Sequence, residues 1–86
     1  MFKIWAKVLV DEKIIKQCVF ASEEKFSYGE FFKYLAEICG DLDIPTPVLL
    51  KTHIFNYAKF GTVRFIPRDF AESVDFTKLV LENLNR

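Results

Sequence analysis

Residues 2 to 10, FKIWAKVLV, alternate strictly in character. Phe2, Ile4, Ala6, Val8 and Val10 fall on one side, and Lys3, Trp5, Lys7 and Leu9 on the other. A period of two is the signature of an extended strand, whose successive side chains point to opposite faces. Asp11-Glu12-Lys13 interrupts the pattern, and Ile14 to Ala21 resumes a β-branched run. The spacing predicts a β-hairpin, although no Asn-Gly or Asp-Gly pair marks its turn. A two-residue turn, Asp11-Glu12 or Glu12-Lys13, places Ile15 and Val19 on the face of Val8. Trp5 then shares the opposite face with Cys18 and Phe20. A three-residue turn exchanges those partners, because a slip of one residue moves every side chain to the other side. The two-residue turn is the register adopted here.

The remaining elements follow from caps and breakers. Ser27 and Glu30 have the spacing of a capping box. Phe31, Leu35, Ile38 and Leu42 then recur at helical spacing, and Gly40 is placed to end the helix in the left-handed conformation. Pro45 keeps Ile44 extended, Thr46 is the expected N-cap of a second helix, and Pro47 suits its first position. That helix carries Leu50, Ile54 and Ala58 on one face and stops at Gly61. TVRFI reads as a third strand closed by Pro67, and PRDFAESVDF as a loop. Residues 76–84 satisfy both a strand and a helical stripe through Phe76, Leu79, Val80 and Leu84. The strand is preferred, because it completes an antiparallel sheet with room for two helices on one face. The expected fold is therefore α+β, with a β-hairpin, two helices and two further strands in one small domain over residues 1–86.

Composition decides which functions are open to such a domain. With 86 residues, it hides only about 60–65% of its unfolded surface, so stability depends on dense apolar packing. Ten Phe, three Tyr and one Trp supply that packing. Rings in excess of the interior line pockets or partner surfaces. The 12 basic and 12 acidic side chains cancel, which argues against general attraction to nucleic acid or an anionic membrane. Their distribution is uneven. Residues 44–68 hold Lys51, Lys59, Arg64 and Arg68 and no acid, whereas six acids fall between Ser22 and Asp43. Lys3 and Lys7 break the apolar N-terminus, so it is neither a signal-peptide core nor a membrane span. A cytoplasmic protein with reduced thiols is expected.

No motif nominates a reaction. Cys18, Cys39 and His53 are too far apart, and too few, for a structural zinc site. A Cys39/His53 nucleophilic pair is the only enzymatic arrangement in view, and Cys39 lies beside the apolar stripe, where a buried thiol is ordinary. Gly29, Gly40 and Gly61 stand alone, so no phosphate-cradling loop is formed. Neither a cofactor nor a metal is expected.

Two surfaces stand out instead. Trp5, Leu9, Ile14, Cys18 and Phe20 share one face of the expected hairpin, bordered by Lys3, Lys7 and Lys16, a composition suited to a protein interface. Lys51, Lys59, Arg64 and Arg68, interleaved with Phe55, Tyr57, Phe60 and Phe65, are the components of a single-strand nucleic-acid surface. The segments IPTPV and RF-x-P-x-DF, at residues 44–48 and 64–70, resemble those of a group of short bacterial proteins with no assigned function. That resemblance implies no activity, cofactor or site residue. The reading is a non-enzymatic protein-interaction module that binds a partner or itself, as a homodimer, through the Trp5/Phe20 face. Nucleic-acid binding through residues 44–68 is the second reading, and an enzyme built on Cys39 and His53 the third.

Overall fold

The computed structural model describes residues 1–85. Strands β1 (Phe2–Val10), β2 (Lys13–Ser22), β3 (Thr62–Phe65) and β4 (Lys78–Asn83) form one antiparallel sheet in the order β2-β1-β4-β3. Helices α1 (Phe31–Leu42) and α2 (Lys51–Phe60) follow the hairpin and pack on one face, giving the expected α+β architecture. Short turns of 3₁₀ helix precede α1 (Tyr28–Glu30) and follow β3 (Pro67–Asp69).

The alternation of β1 settles the core. Ile4, Ala6 and Val8 are fully buried beneath the helices, and Leu79, Leu81, Val63 and Phe65 extend the same layer across β4 and β3. From α1, Phe31, Leu35, Ile38 and Leu42 close over it. The surplus aromatic residues gather at one end. Phe2, Phe20, Phe26 and Tyr34 sit with ring centroids 4.9–6.0 Å apart. Phe31 and Tyr57, edge-to-face with each other at 5.1 Å, join them through Phe26 at 6.1 and 5.8 Å. Tilted and edge-on contacts of this kind add stability beyond the area they bury.

The hairpin has the two-residue turn, with Val10 opposite Lys13. Asp11 and Glu12 both take positive φ, 48° and 72°, the backbone that suits the right-handed twist of the flanking strands. Beyond the turn the register departs from expectation. A bulge falls between Val8 and Leu9, so Leu9 still faces Ile14, but Val8 faces Lys16 and Trp5 faces Val19. Ile15 is the unpaired extra residue. Every later residue of β2 therefore changes face. Phe20 and Cys18 turn inward beside Ile4 and Ala6, while Gln17 and Val19 turn outward beside Lys7 and Trp5. The physical reason is the cargo of each face: the bulge-free register would bury Gln17 and Val19 and expose a phenyl ring. Lys16, also turned inward, extends its ammonium to the Leu42 carbonyl at 3.0 Å.

Both helix boundaries also moved. Ser27 makes no side-chain cap, and α1 runs through Gly40 to Leu42, burying one further apolar residue. Asp43 takes the left-handed position with φ 56°. The Asp43 amide donates to Gly40 and the Ile44 amide to Cys39, which is a Schellman closure. Helix α2 begins at Lys51 rather than at Pro47. The Val48 amide donates to the Asp69 carbonyl at 2.8 Å, holding residues before α2 against the turn that follows β3. Gly61 ends α2 as expected, with φ 72° and its amide on the Tyr57 carbonyl. Residues 78–83 form the strand, and their alternation outweighs the helical stripe because β4 fills the gap between β1 and β3.

Candidate functional site

The proposed Trp5/Phe20 surface divides at the bulge. Trp5, Leu9 and Ile14 lie on the outer face of the sheet, whereas Cys18 and Phe20 pack toward the core. Phe20 lies 6.0 Å from the Phe2 ring and 5.6 Å from that of Tyr34. Trp5 is half-buried and already engaged. Its indole N–H donates to Gln17 Oε1 at 3.0 Å, and the Lys7 ammonium sits 4.1 Å from its ring centroid. Lys7 in turn reaches Glu82 at 3.5 Å.

Cys39 and His53 are each committed elsewhere. Cys39 is fully buried, and burial pushes its thiol up to about 11, with a hydrogen bond to Thr46 opposing that shift in part. A thiol so far above neutrality is protonated and inert. His53 is buried and hydrogen-bonded through one ring nitrogen. Nδ1 accepts from the Leu50 amide at 2.9 Å, which leaves the ring proton on Nε2, facing Asp69 Oδ2 at 3.7 Å. Among the described residues, no group of three His, Cys, Asp or Glu side chains comes together to hold a metal.

The His53–Asp69 contact has a structural consequence. Asp69 Oδ2 also accepts the Ile66 amide at 2.9 Å. Through these two side chains the first turn of α2 is tied to the end of β3. The His53 ring lies against Phe65, with centroids 4.5 Å apart. The clasp fixes α2 beside the edge strand, and between them lies a hollow of about 630 Å³.

One wall of that hollow is a helical stripe. Thr52, Asn56 and Phe60 line it, and residues four apart stand one above another on a helix. The other wall is the β3 edge and the outer sheet surface beside it, through Thr62, Arg64, Ile66 and Val80. The hydrogen-bond phase of the sheet determines what the edge presents. The Asn83 amide donates to Gly61 at 2.7 Å and the Leu84 amide to Lys3 at 3.0 Å. Antiparallel bonding alternates along a strand, so odd-numbered β4 residues bond to β3 and even-numbered ones to β1. Val63 and Phe65, opposite Leu81 and Leu79, thus face the ladder. Thr62 and Arg64 direct their amides and carbonyls off the sheet into the hollow.

The helix beside this edge is unusually bare. On α2 only His53 and Tyr57 are buried, whereas Phe55 is 65% and Phe60 55% exposed. Ile66, at the far end of the edge, is also exposed.

The four cations of the expected nucleic-acid surface are dispersed. Lys51 and Lys59 occupy opposite ends of α2, about 12 Å apart along its axis. Lys59 lies over the Phe60 ring at 5.3 Å. Arg68 is in the turn after β3, and Arg64 alone of the four borders the hollow. Lys78, also in its lining, is paired with Glu12 at 2.7 Å. The hydrogen bond and charge of Lys78 hold that carboxyl below its usual range, and the Arg64 charge adds to the effect.

No family model, curated protein or solved structure matches the chain. Among the described residues, no helix is long and apolar enough to cross a membrane. The sequence singles out Arg64, Phe60 and His53 for other roles, but not the grouping that forms the hollow. Thr52, Asn56 and Phe60 share helical spacing but not character, so no hydrophobic or charged pattern marks them.

Proposed function

We propose that this protein is a non-enzymatic protein-interaction module that receives an extended segment of a partner along the β3 edge. The observation that carries this reading is an edge strand whose unpaired Thr62 and Arg64 backbone groups open into a hollow walled by a helix. Strand addition uses such an edge: backbone hydrogen bonds supply affinity, and pockets for alternate side chains supply specificity. Exposed Phe60 and Ile66 provide apolar contact at either end. By contrast, His53 is hydrogen-bonded to the Leu50 amide, Cys39 is buried, and Trp5 is bonded to Gln17.

The test is selection of a displayed library of random extended peptides against the immobilised protein, followed by amide NMR mapping of the selected peptides. The expected result is shifts confined to Gly61–Ile66 and to Thr52, Asn56 and Phe60. Shifts centred on Trp5, Gln17 and Val19 would place the interface on the outer sheet face instead.

A further inference from the structure

We infer that the segment received by β3 is acidic, with a carboxylate side chain opposite Arg64 and apolar residues on both sides of it in sequence. The inference rests on the β3 edge being the binding surface and names the chemistry of its occupant. An added strand would continue the alternation of the sheet. Its residue opposite Arg64 would share the outer face with that guanidinium, and the residues before and after would point to the helix side, against Phe60 and Asn56. Opposite charges at directly facing positions stabilise a strand pair, and like charges oppose it.

Arg64 is free to be so paired. It is exposed, and among the described residues no carboxylate lies within ion-pair distance of its guanidinium. Of the acids near the hollow, Asp69 is held by the Ile66 amide, Glu12 by Lys78, and Glu82, opposite Thr62 on the outer face, by Lys7. Arg64 is thus the cation in the lining that has no ion-pair partner among the described residues, whereas Lys78 is already paired.

The same charges argue against a second copy of this chain as the occupant. The strands with free edges are β2 and β3. The first, KIIKQCVFAS, carries Lys13 and Lys16 and no acid, and the second, TVRF, carries Arg64 and no acid. Neither strand offers a carboxylate to set opposite Arg64.

The probe is a blocked, fluorescein-labelled heptapeptide, VTVEVTV, with two companions in which the central Glu is Gln or Lys. At low ionic strength the Glu peptide should bind roughly threefold tighter than the Gln peptide and roughly tenfold tighter than the Lys peptide, as facing charge pairs in strands allow. Arg64→Gln, at an exposed position, should bring the three affinities together while the peptides still shift the Thr62 and Val63 amides. Equal affinities for all three peptides on the unaltered protein, with β3 amides shifting, would overturn the acidic occupant and leave edge addition standing. No shift on β3 with any peptide would overturn edge addition itself. Binding of a single-stranded oligothymidylate that shifts the amides of Lys51, Lys59 and Arg68, with no peptide shifting β3, would overturn both, assigning the cations to nucleic acid.

Discussion

β2 and β3 both end the sheet with unpaired backbone groups, yet they are built in opposite ways. β2 is ten residues long, carries Lys13 and Lys16, and is bent by the bulge at Ile15. Lysines and bulges are the devices by which natural sheets discourage edge-to-edge pairing. α1 covers the inner side of β2 through Tyr34, and Phe20 and Cys18 are drawn under it. β3 has neither lysine nor bulge, and is guarded only by its length of four residues and the charge of Arg64. It is pinned internally by Val63 and Phe65 and bounded by the His53–Asp69 clasp, but its rim is open to the hollow. The longer edge thus carries features that discourage strand pairing, whereas the shorter one, on the function proposed above, is the edge that receives a partner.

The largest expected effect separates the inside of β3 from the outside of β2. Phe65→Ala removes a fully buried ring packed on His53 and should cost about 3–5 kcal/mol in urea unfolding. Val19→Ala, at an exposed outward position, should stay within about 0.5 kcal/mol. A comparable loss for Val19→Ala would mean that the outer side of β2 is covered in solution, and the contrast between the edges would fail.

Next in size is the clasp. Asp69→Ala deprives the Ile66 amide of its acceptor and removes the carboxylate 3.7 Å from His53 Nε2, and should cost about 1–2 kcal/mol. Hydrogen exchange at Ile66 should accelerate in this variant while amides of β2 are unchanged. A uniform acceleration would make the clasp a global rather than a β3-specific restraint.

The hairpin turn should respond in the opposite direction. Asp11 and Glu12 hold positive φ without being glycine or asparagine. Asp11→Asn, which leaves the Glu12–Lys78 pair intact, should stabilise the fold by about 0.5 kcal/mol, because the backbone strain at that position is relieved. Thermal unfolding would then rise by roughly 2–4 °C, with no change at β3.

The smallest change near neutrality tests how well α1 seals the β2 side. Burial raises both thiols, Cys39 to about 11 from 9.0 and Cys18 in the same direction. Iodoacetamide at pH 8 should modify half-exposed Cys18 slowly and Cys39 only through unfolding. The stability contributed by keeping Cys39 protonated is intact below pH 9 and is lost as pH rises from 9.0 toward about 11. Rapid native-state labelling of Cys39 would show the β2 side to be the open one.

Much of this architecture was legible in the sequence, and the exceptions share a cause. β1 alternates cleanly, Gly61 is the sole residue suited to the turn between α2 and β3, and residues 78–83 alternate well enough to read as a strand. The bulge was hidden because β2 offers apolar residues at both parities, Ile15 and Val19 on one, Ile14, Cys18 and Phe20 on the other. Tertiary packing chose between them by the size of Phe20. Gly40 and Thr46 are sound local signals overruled by distant contacts, the burial of Leu42 in one case and the Val48–Asp69 hydrogen bond in the other. The candidate site needs three things that sequence spacing does not join: the phase of the sheet, the stripe on α2 and the reach of Asp69 back to His53.

Hydrogen exchange along β3, with and without the VTVEVTV peptide, tests the central claim most directly. In the free protein, the amides of Thr62 and Arg64 should exchange rapidly and those of Val63 and Phe65 slowly, in step with the ladder to β4. Saturating peptide should slow Thr62 and Arg64 selectively, leaving Gln17, Val19 and Ala21 on the β2 edge unchanged. Protection of Thr62 and Arg64 already in the free protein, or slowing that appears on β2 instead, would contradict the account.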